Sequence, residues 1–119
     1  MMKNILFVMN HAPYGGTALQ ETLDIVLTAA VFDQHISLLF MDEGVYQIKS
    51  GQNPQPYAKK DTSAIFKALE IYQVEDYYLE TESAAEHGLS MDDFFLPVKS
   101  VCRKDIHDFM QRFDVVFSD

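Results

Sequence analysis

The sequence has a single cysteine, Cys102, among 119 residues. One thiol cannot form an intramolecular disulfide, and with four scattered histidines it cannot build a cysteine-rich zinc module. The chain also lacks a proline- or glycine-rich tract, which argues against a disordered or low-complexity segment. Because 48% of the residues are hydrophobic, we expect one compact domain over residues 1–119. The single cysteine fits a reducing cytoplasm.

Long hydrophobic runs are missing as well. The amino-terminal segment has a lysine followed by five apolar residues, 5–9, which resembles the start of a secretory signal. This run is too short for a signal core or a membrane span, and no small-residue cleavage pattern follows it. We expect no membrane partner and predict a buried first strand.

Basic residues are few. Nine Lys and Arg residues stand against 18 Asp and Glu residues, so the formal net charge is −9 and the pI is near 4.7. The basic residues are adjacent only at Lys59-Lys60 and Arg103-Lys104, so they form no basic stripe. Non-specific nucleic-acid affinity comes largely from Lys and Arg that neutralise phosphates. We therefore expect no direct nucleic-acid binding and interpret the acidity as a solubility feature.

Apolar periodicity predicts strands that alternate with helices. Strands are predicted at residues 5–9, 36–40, 74–79, 94–98 and 115–117, the fourth as an edge strand because Pro97 lacks a ladder donor. Buried helix stripes are predicted at Leu19, Leu23, Val26, Leu27 and Ala30; at Ile65, Leu69 and Tyr72; and at Ile106, Phe109, Met110 and Phe113. The expected caps of these helices are Thr17, Asp61 or Thr62, and Ser100. A short helical turn at 83–87 should stop at Gly88, and residues 45–60 should form an irregular surface stretch.

This alternation predicts the α/β class: a three-layer flavodoxin-like or Rossmann-like domain with a mainly parallel sheet of about five strands. Ligands and partners of such sheets gather at the carboxyl ends of strands, here residues 10–16, 41–44 and 80–83. The first of these loops has glycines before a helix, but neither a Walker lysine nor a dinucleotide-binding glycine pattern. We interpret it as a tight turn, assign Asp42 and Glu43 to turn chemistry, and expect no cofactor and no metal.

Cys102 has two interpretations. Its basic neighbours Arg103 and Lys104 would favour a reactive thiolate that accepts sulfur. Against this, it is predicted at the start of the last helix, away from the strand-end loops, with no adjacent base and no second thiol. His107, five residues further on, points to another side of the helix. We favour a structural cysteine and keep the persulfide-carrier interpretation as an alternative.

Several segments together resemble the TusC/DsrF family of sulfur-relay subunits. They are residues 5–8 with 12–15, 21–24, 40–47, 51–54 and 66–72, and FMDEGVYQ at 40–47 followed by GQNP at 51–54 is the most distinctive. The match spans almost the whole chain. The resemblance implies a DsrE-like fold and a cytoplasmic hetero-oligomer with TusB-like and TusD-like subunits, in which sulfur moves as a persulfide to support 2-thiouridine formation at the tRNA wobble position.

The resemblance also implies a role within that complex. Sulfur-carrying D-type relatives have their cysteine after a middle strand, at the entrance to a short helix that ends in arginines and glycine. Counting back from Gly88 places Glu80 near that position. A carboxylate cannot form a persulfide, so we expect a non-carrier subunit with no catalytic residue, whose Glu80 could tune a neighbouring subunit's thiol. A nucleotide-binding module with an anion site at residues 15–17 remains an alternative.

Interface candidates are the aromatic residues and the histidine in predicted loops, because such residues are enriched where proteins meet. They are His11, Tyr14, Tyr46, Tyr57, Phe94 and Phe95. The alternative for Phe94 and Phe95 is a strand that turns one of the two rings into the core.

Overall fold

The computed structural model of the chain describes residues 3–11, 18–32, 34–49 and 62–118. Its strands in these ranges are β1 (Asn4–Met9), β2 (His35–Phe40), β3 (Asp76–Glu80), β4 (Val98–Val101) and β5 (Val115–Ser118). Its α-helices are α1 (Ala18–Val31), α2 (Thr62–Ile71), α3 (Thr81–Glu86) and α4 (Ile106–Met110). Segments of 3₁₀ helix cover Asp42–Ile48, Met91–Asp93 and Arg103–Asp105.

The strands form one sheet in the order β4-β3-β2-β1-β5, and all four neighbouring pairs are parallel. The predicted α/β class with a parallel sheet is confirmed, as is the edge position of β4. The chain moves outward in one direction from β1 to β4 and then returns to place β5 on the other side of β1. Because parallel crossovers are right-handed, this reversal puts the last helix on the opposite face from the earlier ones.

Alternate residues of the strands feed two cores, one on each face of the sheet. The first core joins helix residues Leu23 and Val26 of α1 and Phe66 and Leu69 of α2 to the strand residues Ile5, Phe7, Met9, Ile36, Leu38, Phe40, Tyr77 and Leu79. The second core joins Ile106 and Phe109 of α4 to Leu6, Val8 and Leu39. Burial on both faces explains why residues 5–9 of β1 are a continuous apolar run and why β2 is apolar at Ile36, Leu38, Leu39 and Phe40.

Two helix predictions need correction. The α2 stripe uses Phe66 and Leu69, whereas Tyr72 is exposed because the helix ends at Ile71 and Tyr72 lies in the following turn. Ser100 lies within β4 and does not cap the last helix, which begins only after a 3₁₀ turn. The predicted caps Thr17 and Asp61, and the side chains of Leu19 and Ile65, lie outside what the structure describes.

The fourth strand begins later than predicted. Pro97 cannot donate to a ladder, and the strand starts directly after it, at Val98. Phe94 instead forms an isolated antiparallel bridge with Lys49. This shift moves the carboxyl end of β4 from residue 98 to Val101, which brings a different segment to the carboxyl edge of the sheet.

Over residues 45–49 the segment after β2 is not the irregular surface stretch that its sequence predicts, and residues 50–60 of that prediction lie outside the described residues. Residues Asp42–Ile48 form a 3₁₀ helix in which Val45, Gln47 and Ile48 are buried. Val45 and Ile48 share one face because 3₁₀ helices repeat every three residues.

Among the α-helices of the described ranges, none combines the length and apolar character needed to cross a bilayer.

Candidate functional site at the carboxyl edge of the sheet

Glu80 is a buried carboxylate at the carboxyl end of β3, with only 2% of its side chain exposed. Its Oε1 atom accepts hydrogen bonds from the Ser83 hydroxyl, from Arg103 Nε at 3.1 Å and from Arg103 Nη2 at 2.9 Å. A buried charge is tolerated when it is paired and hydrogen-bonded. Glu80 is therefore an anchor at the entrance of α3.

Ser83 connects this carboxylate to the neighbouring strand end. Its hydroxyl is fully buried; it donates to Glu80 and accepts a hydrogen bond of 2.8 Å from the backbone N–H of Asp42. Asp42 has a φ of 50°, a left-handed conformation that Asp tolerates better than most residues. The turn role predicted for Asp42 thus extends to a contact that holds the 3₁₀ segment against α3.

Arg103 closes the site from the β4 side. While its Nε and Nη2 atoms bind Glu80, its Nη1 and Nη2 atoms also donate to the carboxylate of Glu86, at the end of α3. Its backbone N–H donates to both carboxylate oxygens of Glu82, at 2.9 and 3.1 Å. One residue thereby fixes the loop after β4 to both ends of α3.

The charges of this cluster stabilise one another. The hydrogen bond to Glu86, followed by the one to Glu80, raises the pKa of the Arg103 guanidinium above its ordinary value. The hydrogen bond from Arg103 is the largest of the effects that lower the pKa of the Glu86 carboxyl. Arg103 and Glu86 therefore favour each other's charged forms, and through Glu80 and Ser83 the same hydrogen-bonded cluster joins the loop after β4 to α3.

Cys102 lies next to this cluster, which corrects the prediction that it is remote from the strand-end loops. It is exposed and directly follows β4, whose last residue Val101 pairs with Glu80 in the sheet register. Its neighbour Arg103 is engaged by carboxylates through both the guanidinium and the backbone N–H. Of the two basic neighbours that the sequence offers to a thiolate, Arg103 is thus already paired with carboxylates.

Comparison with known proteins identifies the family. The model of the DsrE/DsrF-like family matches residues 3–118. The chain belongs to the DsrE/DsrF-like family. It is 32% identical over 118 residues to a Pseudomonas aeruginosa protein named TusC homolog, and the match covers 99% of each chain. It is 36% identical over 93 residues to the intracellular sulfur oxidation protein DsrF of Allochromatium vinosum, covering 78% of this chain and 68% of that protein.

A solved structure supports the family fold. The ychN protein of E. coli superimposes with a TM-score of 0.82 over 99% of this chain and 100% of the other, at 20% sequence identity. At that identity the likeness establishes the DsrE-like fold alone. The resemblance to TusC and DsrF proposed from the sequence is confirmed by these matches.

Of the predicted interface residues, His11 and Tyr46 lie near the same edge. His11 is exposed just beyond β1, and its backbone carbonyl accepts a hydrogen bond of 2.7 Å from the Gln47 side chain. Tyr46 is partly buried, with its ring edge-on to His87 at a centroid distance of 5.1 Å. Their role in an interface stays a prediction, and Tyr14 and Tyr57 lie outside the described residues.

Phe94 and Phe95 differ from one another. Phe94 is buried in the first core, whereas Phe95 is 41% exposed and contacts the Phe66 ring edge-on at 5.7 Å. The backbone N–H of Phe95 donates to the Ile48 carbonyl, which holds this loop against the 3₁₀ segment. Phe95 is thus available at the surface, while the Phe94 ring is used within the chain itself.

Sequence reasoning singled out Glu80 but missed its partners Ser83 and Arg103, and it missed Glu86, which Arg103 also binds. The available signal was the i, i+3 spacing of Glu80 and Ser83 and of Ser83 and Glu86, which places side chains of one helical turn together. Arg103 could not be found in this way because 23 residues separate it from Glu80.

Within the described ranges no group of three or more His, Cys, Asp or Glu side chains is arranged to hold a metal ion.

Proposed function

We propose that this chain is a non-carrier subunit of a TusBCD-type heteromeric sulfur-relay complex, which supports 2-thiouridine formation at the tRNA wobble position. One observation carries the proposal. At the carboxyl end of β3, where the resemblance implies the sulfur-carrying cysteine of D-type relatives, this chain has Glu80, buried and bound by Ser83 and Arg103. A carboxylate cannot accept a sulfane sulfur.

The surroundings of Glu80 support a positioning role. α3 begins directly after Glu80 and is followed by Gly88 at a φ of 70°, which matches the short helix and the glycine that the resemblance implies for the carrier. The arginines of that pattern are missing, since Glu86 and His87 precede Gly88 here. Arg103 and Ser83 hold α3 in place through hydrogen bonds that require no substrate. In the proposed complex, TusB-like and TusD-like subunits meet this chain, and the sulfur is carried on a partner's cysteine.

The choice of tRNA thiolation over sulfur oxidation rests on the extent of similarity. The TusC homologue matches over 99% of the chain, whereas the sulfur oxidation protein DsrF matches over 78%. The net charge of −9 gives the chain itself little attraction for a phosphate backbone. Contact with tRNA therefore belongs to other components of the cytoplasmic relay.

Co-expression tests the proposal. The tagged chain is produced with the TusB-like and TusD-like subunits of the same organism, and the native mass of the purified material is recorded. We expect a heteromeric complex whose labile sulfur maps to a partner's cysteine. A monomer or homo-oligomer that carries sulfur on Cys102 would contradict the proposal.

A cellular measurement separates the two sulfur pathways. In a strain that lacks this chain, the 2-thiouridine content of tRNA should fall, and the wild-type chain should restore it. Cys102→Ser should restore it equally well, because a non-carrier subunit does not use this thiol. An unchanged 2-thiouridine content in the deletion strain would exclude the tRNA role and favour sulfur oxidation.

A second candidate, a persulfide carrier that uses Cys102, is favoured by the exposed position of this thiol at the carboxyl edge. In that reaction the Cys102 thiolate attacks the outer sulfur of a donor persulfide, the donor S–S bond breaks, and the donor leaves as a thiolate. Failure of Cys102→Ser to restore 2-thiouridine would promote this candidate. The nucleotide-binding alternative requires an anion site at residues 15–17, which lie outside the described ranges.

A further inference from the structure

An apolar groove runs between α1 and the edge strand β5. It has a volume of about 450 Å³ and is lined by Ile5, Phe7, Asp24, Ile25, Thr28, Ala29 and Phe117. Phe117 stacks on Phe7 with a centroid distance of 5.3 Å and is still 50% exposed, and Ile25 is 58% exposed. The carboxyl-edge cluster around Glu80 is separate from this groove, since β5 is at the opposite end of the sheet order from β4.

The exposure of β5 is unusual for its architecture. Parallel strands are normally covered on both faces, but β5 shows Phe117 half exposed on the α1 face and Val116 41% exposed on the other. An apolar edge strand that remains open is also a site for association with another chain. These features indicate a surface that is covered when the protein is assembled.

The lining is poorly suited to a polar small molecule. Such sites combine an apolar pocket with several convergent polar groups. Here the Thr28 hydroxyl donates to the Asp24 carbonyl within α1, so it is already satisfied by the helix. The remaining polar side chain of the lining is the carboxylate of Asp24. An extended apolar surface beside one negative charge fits a protein partner better.

Charge decides between a second copy and a different protein. A two-fold homodimer places the same patch of both copies face to face, so two Asp24 carboxylates would be brought together, with exposed Glu21 one turn earlier on each α1. Each copy also carries a net charge of −9. Juxtaposed like charges oppose such an interface, whereas a basic residue on the partner would be favoured.

We propose that the groove between α1 and β5 binds a different protein chain, which inserts an aliphatic or aromatic ridge between Ile25 and Phe117 and places a Lys or Arg against Asp24. This inference rests on the proposed function, because the partner would be one of the related subunits of the relay complex. It assigns that contact to a surface whose lining includes neither Glu80 nor the predicted interface residues Tyr46 and Phe95.

A matched pair of variants tests the groove. Ile25→Lys and Ile71→Lys make the same change at exposed isoleucines of two helices, α1 and α2, and Ile71 is outside the groove. Each variant is co-expressed with the TusB-like and TusD-like subunits, and affinity is measured by titrating the purified components. We expect Ile25→Lys to weaken the complex at least about tenfold, as loss of a central contact does. Ile71→Lys should stay close to wild type.

Asp24 gives an independent test of the partner's charge. Asp24→Lys should weaken the complex more strongly at low salt than at high salt, because the repulsion it introduces is screened. Circular dichroism and thermal unfolding of each isolated variant will show whether the fold is retained. An Asp24→Lys complex as tight as wild type at low salt would contradict a basic partner.

The outcomes separate this inference from the function. If Ile25→Lys leaves the affinity of the complex unchanged, or weakens it no more than Ile71→Lys does, the groove is not the binding surface. The proposed relay role is then unaffected. A wild-type homo-oligomer that Ile25→Lys dissociates identifies a second copy as the occupant and overturns the inference. A wild-type chain that binds neither subunit overturns the inference and the proposed function together.

Discussion

Arg103 donates two hydrogen bonds to a single oxygen of Glu80, across 23 residues of sequence, and this contact ties the end of β4 to the end of β3. The two strands pair in register up to Glu80 and Val101, so Arg103 is the second residue beyond the last paired position. Glu80 is buried, whereas the Arg103 side chain is half exposed. Loss of the contact should therefore cost more at buried Glu80 than at Arg103, which water can reach.

Replacing Glu80 should therefore destabilise the fold. Glu80→Ala removes the acceptor of Ser83 and Arg103. We expect the free energy of unfolding to fall by about 1–3 kcal/mol, the cost of leaving a buried polar group such as the Ser83 hydroxyl without its partner. Glu80→Gln keeps an acceptor oxygen and should lose less. Urea unfolding of the three proteins at pH 7 gives these differences, and an Ala variant as stable as wild type would contradict the anchoring role.

Glu86 should contribute to stability against acid. Its hydrogen bond from Arg103 lowers the pKa of the carboxyl below the ordinary value of 4.5. A lowered folded-state pKa gives stabilisation that is present above 4.5 and is lost as the pH falls through the folded-state value. Unfolding midpoints measured from pH 7 down to pH 2.5 should thus decline less steeply for Glu86→Gln than for wild type.

The partner in this effect can be verified by a double variant. If Arg103 causes the lowered pKa of Glu86, Arg103→Gln should flatten the same part of the acid profile. Combining it with Glu86→Gln should flatten that part no further, since the effects of interacting residues are not additive. Additive effects of the two changes on the acid slope would show that Glu86 depends on some other group.

The parallel sheet was predictable because buried parallel strands leave a local signal. Each of these signals is visible within a short stretch of sequence. Examples are the apolar residues of β1 and β2 and the helical spacing of Leu23 and Val26. The 3₁₀ segment was missed because residues 41–44 were interpreted as the turn that ends β2, although Val45 and Ile48 already have the three-residue spacing of this helix type.

The site was less predictable because it depends on sheet register. Glu80 could be located from its position after β3, but Arg103 meets it only because β4 begins after Pro97 and ends at Val101. A strand placed over 94–98 leaves Cys102 and Arg103 far from the edge. No local pattern sets such a register, which depends on tertiary pairing.

Gly44 should be the least replaceable of the described glycines. A Cβ atom there would lie 1.8 Å from the carbonyl oxygen of Met9 and 2.5 Å from its carbonyl carbon, so backbone must move. We expect Gly44→Ala to cost about 3 kcal/mol or more of unfolding free energy, the upper end of what forced overpacking costs, because the clash is with backbone. Urea unfolding monitored by circular dichroism measures this loss.

Gly88 provides the matched control for that change. It has a φ of 70°, and a Cβ atom there would meet nothing within 4 Å. Gly88→Ala should therefore cost only the left-handed backbone strain, about 1–2 kcal/mol. An equal or larger loss for Gly88→Ala than for Gly44→Ala would show that the contact with Met9 relaxes more easily than its geometry indicates.

Tyr77 should make the fold sensitive to alkaline pH. Its hydroxyl donates to the Val74 carbonyl, and burial, followed by the charges of Glu70 and Glu75, raises the pKa of this phenol from 10.0 to about 12. The unfolded chain therefore releases this proton before the folded one, so the contribution of Tyr77 is complete below pH 10 and is lost as the pH rises towards 12.

Tyr77→Phe removes both the hydrogen bond and the ionisable group. Loss of the hydrogen bond lowers the stability of the fold, whereas loss of the ionisable group removes the part of the alkaline destabilisation that Tyr77 causes. At pH 7 the variant should be less stable by about 1 kcal/mol, the net value of one hydrogen bond. Between pH 10 and pH 11.5 the variant should lose stability less steeply than wild type, so the difference between them narrows. Urea unfolding midpoints at pH 7, 9, 10, 11 and 11.5 measure this convergence. Parallel profiles for the two proteins would show that the phenol titrates alike in the folded and unfolded chains.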